Sequence, residues 1–128
     1  MKRLLAVPII VMVMSLLPVT TIQAHPPMKL NMSYEAAGGV LRIDVNHPVG
    51  NTDDHFIEEI TVMTEGREAA RIFYTEQMTR QGQAILVTVG FVEEGSEVTV
   101  RAVCSKFGEL EKTGVVPEGG GEEFLEIE

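Results

Sequence analysis

The stretch LRIDVNHPVGNTDDHFIEEITVM, residues 41 to 63, reads as a strand, a polar loop and a second strand. Leu41, Ile43 and Val45 alternate with polar residues, which is the period of a strand that buries one face. Phe56 to Met63 is a second run with high β-propensity. The residues between the two runs are rich in Pro, Gly, Asn and Asp, which favour turns. The stretch therefore predicts two consecutive strands joined by a loop.

The same period of two continues along the chain. Four more strand-length runs and a weaker seventh cover Leu30 to Tyr34, Ala69 to Tyr74, Ile85 to Val89, Val98 to Cys104 and Lys112 to Val116. Turn signals separate them at residues 38–39, 65–66, 75–82 and 94–95. No run shows the 3.6-residue period of an amphipathic helix. The pattern predicts an all-β fold, an immunoglobulin-like antiparallel β-sandwich of about seven strands.

The first 24 residues have the layout of a secretory signal peptide. Lys2 and Arg3 precede an apolar run from Leu4 to Leu17, and a more polar segment leads to Ala24. About 14 apolar residues are fewer than the roughly 20 of a membrane-spanning helix. We therefore expect cleavage after Ala24, a periplasmic or extracellular protein, and no membrane span in the mature chain. An uncleaved N-terminal anchor is the alternative.

The remaining residues suffice for one domain. We predict a β-sandwich domain at residues 25–117 and a flexible acidic tail at residues 118–128, with Phe124, Leu125 and Ile127 as candidates for loose docking. Residues 1–24 contain two basic and no acidic residues, so eight basic and nineteen acidic residues remain and the net charge is −11. Such a surface repels phosphate backbones and anionic lipid, so nucleic acid is not an expected partner.

All three histidines and the single cysteine fall at a predicted strand end or at the mature N-terminus. His47 ends one strand and His55 begins the next, so both lie at the same end of the sandwich. Cys104 closes a strand and points inward by the period-two rule. His25 would follow the cleavage site, where its ring and its α-amine could chelate a metal. Imidazole and thiolate suit iron, copper or zinc rather than calcium or magnesium.

Each of these residues also has a purely structural interpretation. A histidine before a proline is commonly a turn residue, and an inward cysteine on an apolar strand commonly packs in the core. Asp53 and Asp54 fit a solvated loop, although they could equally pair with the histidines. The placement of four candidate ligands at strand ends or at the terminus is what favours a metal site.

The segments NHPVGNTDDHFIEEITVMTEG and VTVRAVCSKFGE resemble the iron-binding domain of the superoxide reductase family, the neelaredoxin and desulfoferrodoxin group. The resemblance spans about residues 25 to 108 and implies an immunoglobulin-like sandwich. It also implies a mononuclear non-haem iron with four histidines around it, an axial cysteine thiolate and an open position for superoxide. Carried over residue by residue, His47, His55 and Cys104 match ligands, and His25 matches the first histidine.

This sequence departs from the family pattern in three places. Phe107 stands where the family has a histidine three positions after the cysteine, and the loop between His47 and His55 is two residues longer. The acid and base that reductases carry before the first histidine would fall in the predicted signal peptide. Lys106 is the basic residue that we assign to steering superoxide, as the candidate catalytic residue. The implied reaction reduces superoxide to hydrogen peroxide and needs an external electron donor protein.

Two other functions stay open at this point. The segment from His47 onward is also similar to the sandwich subunit of the sulfur-oxidation carrier complex, a non-catalytic binding module without a metal. There the histidines would be loop residues and Cys104 would belong to the core. The third interpretation is an exported copper-binding module in which His25, its α-amine and one loop histidine take Cu(II). One residue added ahead of His25 would abolish tight copper binding in that module.

Overall fold

The computed structural model describes residues 25–118 and the short segment 125–126. The strands are β1 (Lys29–Glu35), β2 (Val40–Asn46), β3 (Ile57–Thr64), β4 (Arg67–Phe73), β5 (Gly82–Thr88), β6 (Glu97–Cys104), β7 (Glu109–Val115) and β8 (Leu125–Glu126). This part of the chain contains no helix, and so none that could cross a membrane. The predicted signal peptide and most of the predicted tail lie outside the described residues.

The strands pair antiparallel in two sheets, with the orders β1-β2-β5 and β4-β3-β6-β7-β8. Apolar side chains from both sheets and from the segments that follow β5 and β7 form the core: Leu30, Tyr34, Leu41, Ile43, Val45, Ile57, Ile60, Val62, Val87, Val92, Val98, Val100, Ala102 and Val116. Full burial of one such aliphatic side chain contributes about 1.5 to 3 kcal/mol. The predicted all-β immunoglobulin-like sandwich of about seven strands is confirmed, and β8 is a two-residue addition at the edge beside β7.

Strand β6 shows most clearly why these residues form a sandwich. Its residues Val98, Val100 and Ala102 are completely buried and Cys104 is 4% exposed, whereas the residues between them are partly exposed. The register of β6 with β3 places Cys104 opposite Ile57. The prediction that Cys104 points inward at a strand end is confirmed.

The antiparallel register brings several chain segments to one end of the sandwich. Lys29 at the start of β1 and Gly82 at the start of β5 both pair with Asn46 at the end of β2. Because Cys104 pairs with Ile57, the start of β3 and the end of β6 also lie next to each other at this end. The segment before β1, the β2–β3 and β4–β5 loops and the β6–β7 turn therefore lie together. We call this the ligand end.

Two strands begin three residues earlier than predicted, whereas the other boundaries differ by at most two residues. Gly82, expected in a turn, is the first residue of β5, and a Cβ atom there would lie 1.8 Å from the carbonyl oxygen of Val45. Glycine is therefore required at this position, because any side chain would clash with the backbone of β2. Strand β7 begins at Glu109 and not at Lys112, because the pairing with β6 continues as far as Val103.

Candidate metal centre

Three of the four predicted ligands converge at the ligand end. His47 is completely buried, His55 is 9% exposed and Cys104 is 4% exposed. One ring nitrogen of each histidine and the Sγ atom all lie within 4.8 Å of one another. Ligand bonds to an ion such as zinc are about 2.0 to 2.3 Å long, so donors on opposite sides of one ion are about twice that distance apart. These three side chains could therefore hold a metal ion.

The sulfur of Cys104 has two nitrogen neighbours. The Nε2 atom of His55 lies 3.0 Å from Sγ, and the backbone N–H of Lys106 points to the same sulfur at 3.4 Å. Backbone N–H groups that contact a ligating sulfur tune the properties of the metal that it binds. The surroundings of Cys104 thus suit a thiolate ligand as well as a packed thiol.

Backbone contacts hold this part of the site in place. Ser105 donates its N–H to the carbonyl of Phe56 at 2.9 Å and accepts the Phe56 N–H on its Oγ atom at 3.1 Å. The Cys104 N–H donates to the carbonyl of Gly108 at 3.0 Å and closes the β6–β7 turn. Gly108 has a φ of 76°, and a Cβ atom there would come within 2.9 Å of Pro26. The turn therefore packs directly against the segment that carries His25.

The ring of His25 lies beside the candidate ligands His47 and His55. Its centroid is 5.1 Å from that of His47 and 5.4 Å from that of His55, while the latter two centroids are 4.6 Å apart. Its Nδ1 and Nε2 atoms contact the carbonyls of Pro26 and Pro48 at 3.0 and 2.8 Å. The structure thus brings His25 to the site but turns its ring nitrogens toward the backbone. It would have to reorient to join the other three ligands.

Burial lowers the pKa of His55 below the ordinary value of a histidine. Positive charge on His47, His25 and Lys106 lowers that pKa further, and the carboxylate of Asp54 opposes the shift without reversing it. A lower pKa favours the neutral ring, which is the form that binds metals.

Lys106 and Phe107 occupy the rim of the site. Lys106 forms an ion pair with Asp54, with 3.3 Å between Nζ and Oδ1, and both side chains are substantially exposed. The structure thus places the candidate steering residue close to Cys104, with a carboxylate that partly neutralises it. Phe107, which stands at the expected fourth histidine, is 62% exposed. Among the described residues, three imidazoles and not four therefore lie together at the ligand end.

The position of Gln77 beside His47 is not predicted by the sequence. This residue lies in the β4–β5 loop, is 3% exposed, and its Oε1 atom is 2.8 Å from the Nδ1 atom of His47. Its backbone N–H donates to the carbonyl of Thr52 in the β2–β3 loop. A glutamine in a polar stretch between strands looks like any other turn residue, and the contact spans 30 residues of sequence. The contact between Gln77 and His47 forms only because the β2–β3 and β4–β5 loops pack together.

Comparisons of the chain with protein-family models, with curated proteins and with solved structures found no match. The resemblance to superoxide reductases therefore stays an expectation from the quoted segments. Functional inference for this chain depends on the ligand set and on its surroundings.

Proposed function

We propose that the protein is an exported mononuclear iron protein that reduces superoxide to hydrogen peroxide. The observation that carries the proposal is the convergence of His47 and His55 on Cys104, with the ring of His25 next to them. Imidazole and thiolate ligands suit iron and other transition metals. The resemblance of the flanking segments to superoxide reductases favours iron within that group.

The side chains have separate roles in this reaction. His47 and His55 would contribute ring nitrogens, and Cys104 would contribute its thiolate. A bound iron would supply a one-electron couple, whose potential depends on the thiolate and on its N–H contacts. Burial of the three ligands limits the access of water to their donor atoms. Lys106 would attract the superoxide anion to the rim.

Catalysis also needs an electron from outside the protein. Reduction of one superoxide to hydrogen peroxide consumes one electron and two protons. The chain has one cysteine, so it has no thiols left for a second cysteine-ligated iron centre. An external electron donor protein would therefore return the electron. The expected net charge of −11 slows the approach of an anion, which makes the positive charge of Lys106 important.

The first experiment is elemental analysis and absorption spectroscopy of the mature protein, purified from a host that exports it. We expect near-stoichiometric iron and, in the oxidised protein, a visible thiolate-to-iron charge-transfer band. Superoxide consumption with measured peroxide then tests the reaction, because reduction yields one peroxide per superoxide and dismutation yields half as much. Protein that contains no metal and cannot be reconstituted would contradict the proposal and favour a metal-free binding module.

Copper binding is the second candidate function. Two imidazoles and one thiolate form the mutually close set, and this combination also occurs in copper electron-transfer sites. His25 adds a third imidazole nearby, and cleavage after Ala24 would free its α-amine. Stoichiometric copper in place of iron would favour this function. One residue added ahead of His25 then separates a terminal chelate, which would be lost, from a site built on His47, His55 and Cys104, which would remain.

A further inference from the structure

The side-chain amide of Gln77 makes three hydrogen bonds beside His47. Its Nε2 atom donates to the backbone carbonyls of His47 and Thr79, each at 2.8 Å. Its Oε1 atom lies 2.8 Å from the Nδ1 atom of the His47 ring. Gln77 is 3% exposed, so these protein groups rather than bulk water determine how its amide is oriented.

The orientation of this amide determines the position of a proton on His47. A backbone carbonyl only accepts hydrogen bonds, so two carbonyls at one end of the amide require the NH₂ group there. The Oε1 atom therefore faces the ring, and it also only accepts. The hydrogen bond then requires that Nδ1 of His47 carries the proton. In the neutral ring, the lone pair is consequently on Nε2.

We propose that Gln77 is a positioning residue that holds His47 in the Nδ1–H form and thereby makes Nε2 its metal-binding atom. The use of that atom rests on the proposed metal-binding function, whereas the position of the proton is a property of the metal-free protein. The Nε2 atom lies 3.2 Å from the backbone carbonyl of His25. This contact is longer than the 2.8 Å between Nδ1 and the Oε1 atom of Gln77, so the shorter hydrogen bond favours the proton of the neutral ring on Nδ1.

Gln77 also connects the ring to two loops. Its backbone N–H donates to Thr52 in the β2–β3 loop, and its side chain bonds Thr79 within the β4–β5 loop. Rotation of the His47 ring would break the hydrogen bond to an amide that both loops hold. Outer partners of this kind orient metal-binding histidines, and their removal typically weakens metal binding by about 10- to 100-fold.

The protonation site can be read directly in the metal-free mature protein. Long-range ¹H–¹⁵N spectra at alkaline pH distinguish the two neutral forms of each histidine ring, and a His47→Gln variant assigns the His47 signals. We expect His47 to be protonated at Nδ1. Protonation at Nε2 in the wild-type protein would overturn the proposal without any variant.

Three variants test the role of the amide, with Zn²⁺ as a redox-silent probe. Gln77→Leu should remove the preference for Nδ1–H and weaken Zn²⁺ binding by about 10- to 100-fold. Gln77→Glu keeps an acceptor for Nδ1–H and should keep the proton on Nδ1, although the loss of the NH₂ group that donates to His47 and Thr79 should lower stability. Gln83→Leu is the matched control, because Gln83 is also buried and accepts from Met78 in the same loop without a described contact to His47.

The outcomes separate this inference from the proposed function. Equal proton positions and Zn²⁺ affinities in Gln77→Leu and Gln83→Leu would overturn the positioning role. A wild-type protein that binds neither Zn²⁺ nor iron would overturn the metal-binding function and with it the donor role of Nε2. The spectra of the metal-free wild type and Gln77→Leu would still decide whether Gln77 fixes the proton.

Discussion

The Nε2 atom of His55 lies 3.0 Å from the Sγ atom of Cys104, although 49 positions separate the two residues in the chain. The register of β3 with β6 produces this contact, because it places Cys104 opposite Ile57, two residues after His55. The reciprocal bonds between Phe56 and Ser105 reinforce it. The sheet register therefore brings the two residues together, and substitutions at either residue test the site.

Replacement of Cys104 by serine should remove the thiolate-to-iron charge-transfer band. Serine has nearly the same shape as cysteine, so the core face of β6 should keep its packing while the soft ligand is lost. The measurement is the visible spectrum of the oxidised, iron-loaded protein, with circular dichroism as the control for folding. A band of unchanged intensity in Cys104→Ser would rule out this cysteine as the ligand.

Alanine substitutions at the three histidines should differ in their effects. His47→Ala and His55→Ala each remove a member of the mutually close set and should lower metal affinity by about tenfold or more. His25→Ala should have the smallest effect of the three, because the ring nitrogens of His25 contact carbonyls. Competition with a chelator measures the affinities, and retention of β-type circular dichroism controls for folding. Equal affinities in all three variants and the wild type would mean that the histidines only form turns.

The sequence was sufficient for the architecture because the period-two pattern is a local property. The inward face of β6 and the location of His47 and His55 at strand ends follow from the spacing of apolar residues. Boundaries were less accurate where tertiary pairing decides, as at Gly82, which looks like a turn residue and pairs with Asn46.

The ligand end could be predicted only in part. The single loop between two consecutive strands implied that His47 and His55 lie at the same end of the sandwich, and the inward face of β6 implied the direction of Cys104. The orientation of the His25 ring and the contact between Gln77 and His47 depend on how separate loops pack. Those loops have no periodic pattern, so nothing in the sequence indicates their mutual arrangement.

The free energy of unfolding of the metal-free protein should decrease as the pH is lowered below about 6.5, which is the pKa of an unperturbed histidine. Burial lowers the pKa of His55 in the folded protein, so the unfolded chain binds more protons in this range and the free energy of unfolding decreases. Above that pKa the contribution is constant. Urea denaturation between pH 5 and pH 8 measures the free energy of unfolding, and His55→Gln is the comparison. If His55 caused none of this dependence, the wild type and His55→Gln would lose stability in parallel.

A fourth imidazole at position 107 should strengthen iron binding. Phe107 lies on the turn that follows Cys104, and it is exposed, so a histidine there has room to reorient. We expect Phe107→His to raise the affinity for ferrous iron by about tenfold, equivalent to about 1.4 kcal/mol. Phe91→His is the matched control, since Phe91 is also exposed but lies after β5, at the end of the sandwich away from the ligands. An identical affinity in the two variants would show that position 107 does not reach the site.

Lys106 should affect the rate of superoxide consumption through its charge. We expect Lys106→Gln to lower that rate a few-fold, and more at low ionic strength, because the steering of an anion is screened by salt. Asp54→Asn should raise the rate, since it removes the carboxylate that pairs with Lys106. Loss of this exposed pair should change the free energy of unfolding by less than about 1 kcal/mol.

The matched control for this charge is Arg67→Gln. Arg67 is exposed and pairs with Thr64 at the end of β3, opposite to the end that carries His55. This substitution removes one positive charge, as Lys106→Gln does, but at the end of the sandwich away from His47, His55 and Cys104. Stopped-flow measurement of superoxide decay at several salt concentrations compares the variants. If Lys106→Gln and Arg67→Gln gave the same rates and the same salt dependence, overall charge would account for the effect and Lys106 would have no special role.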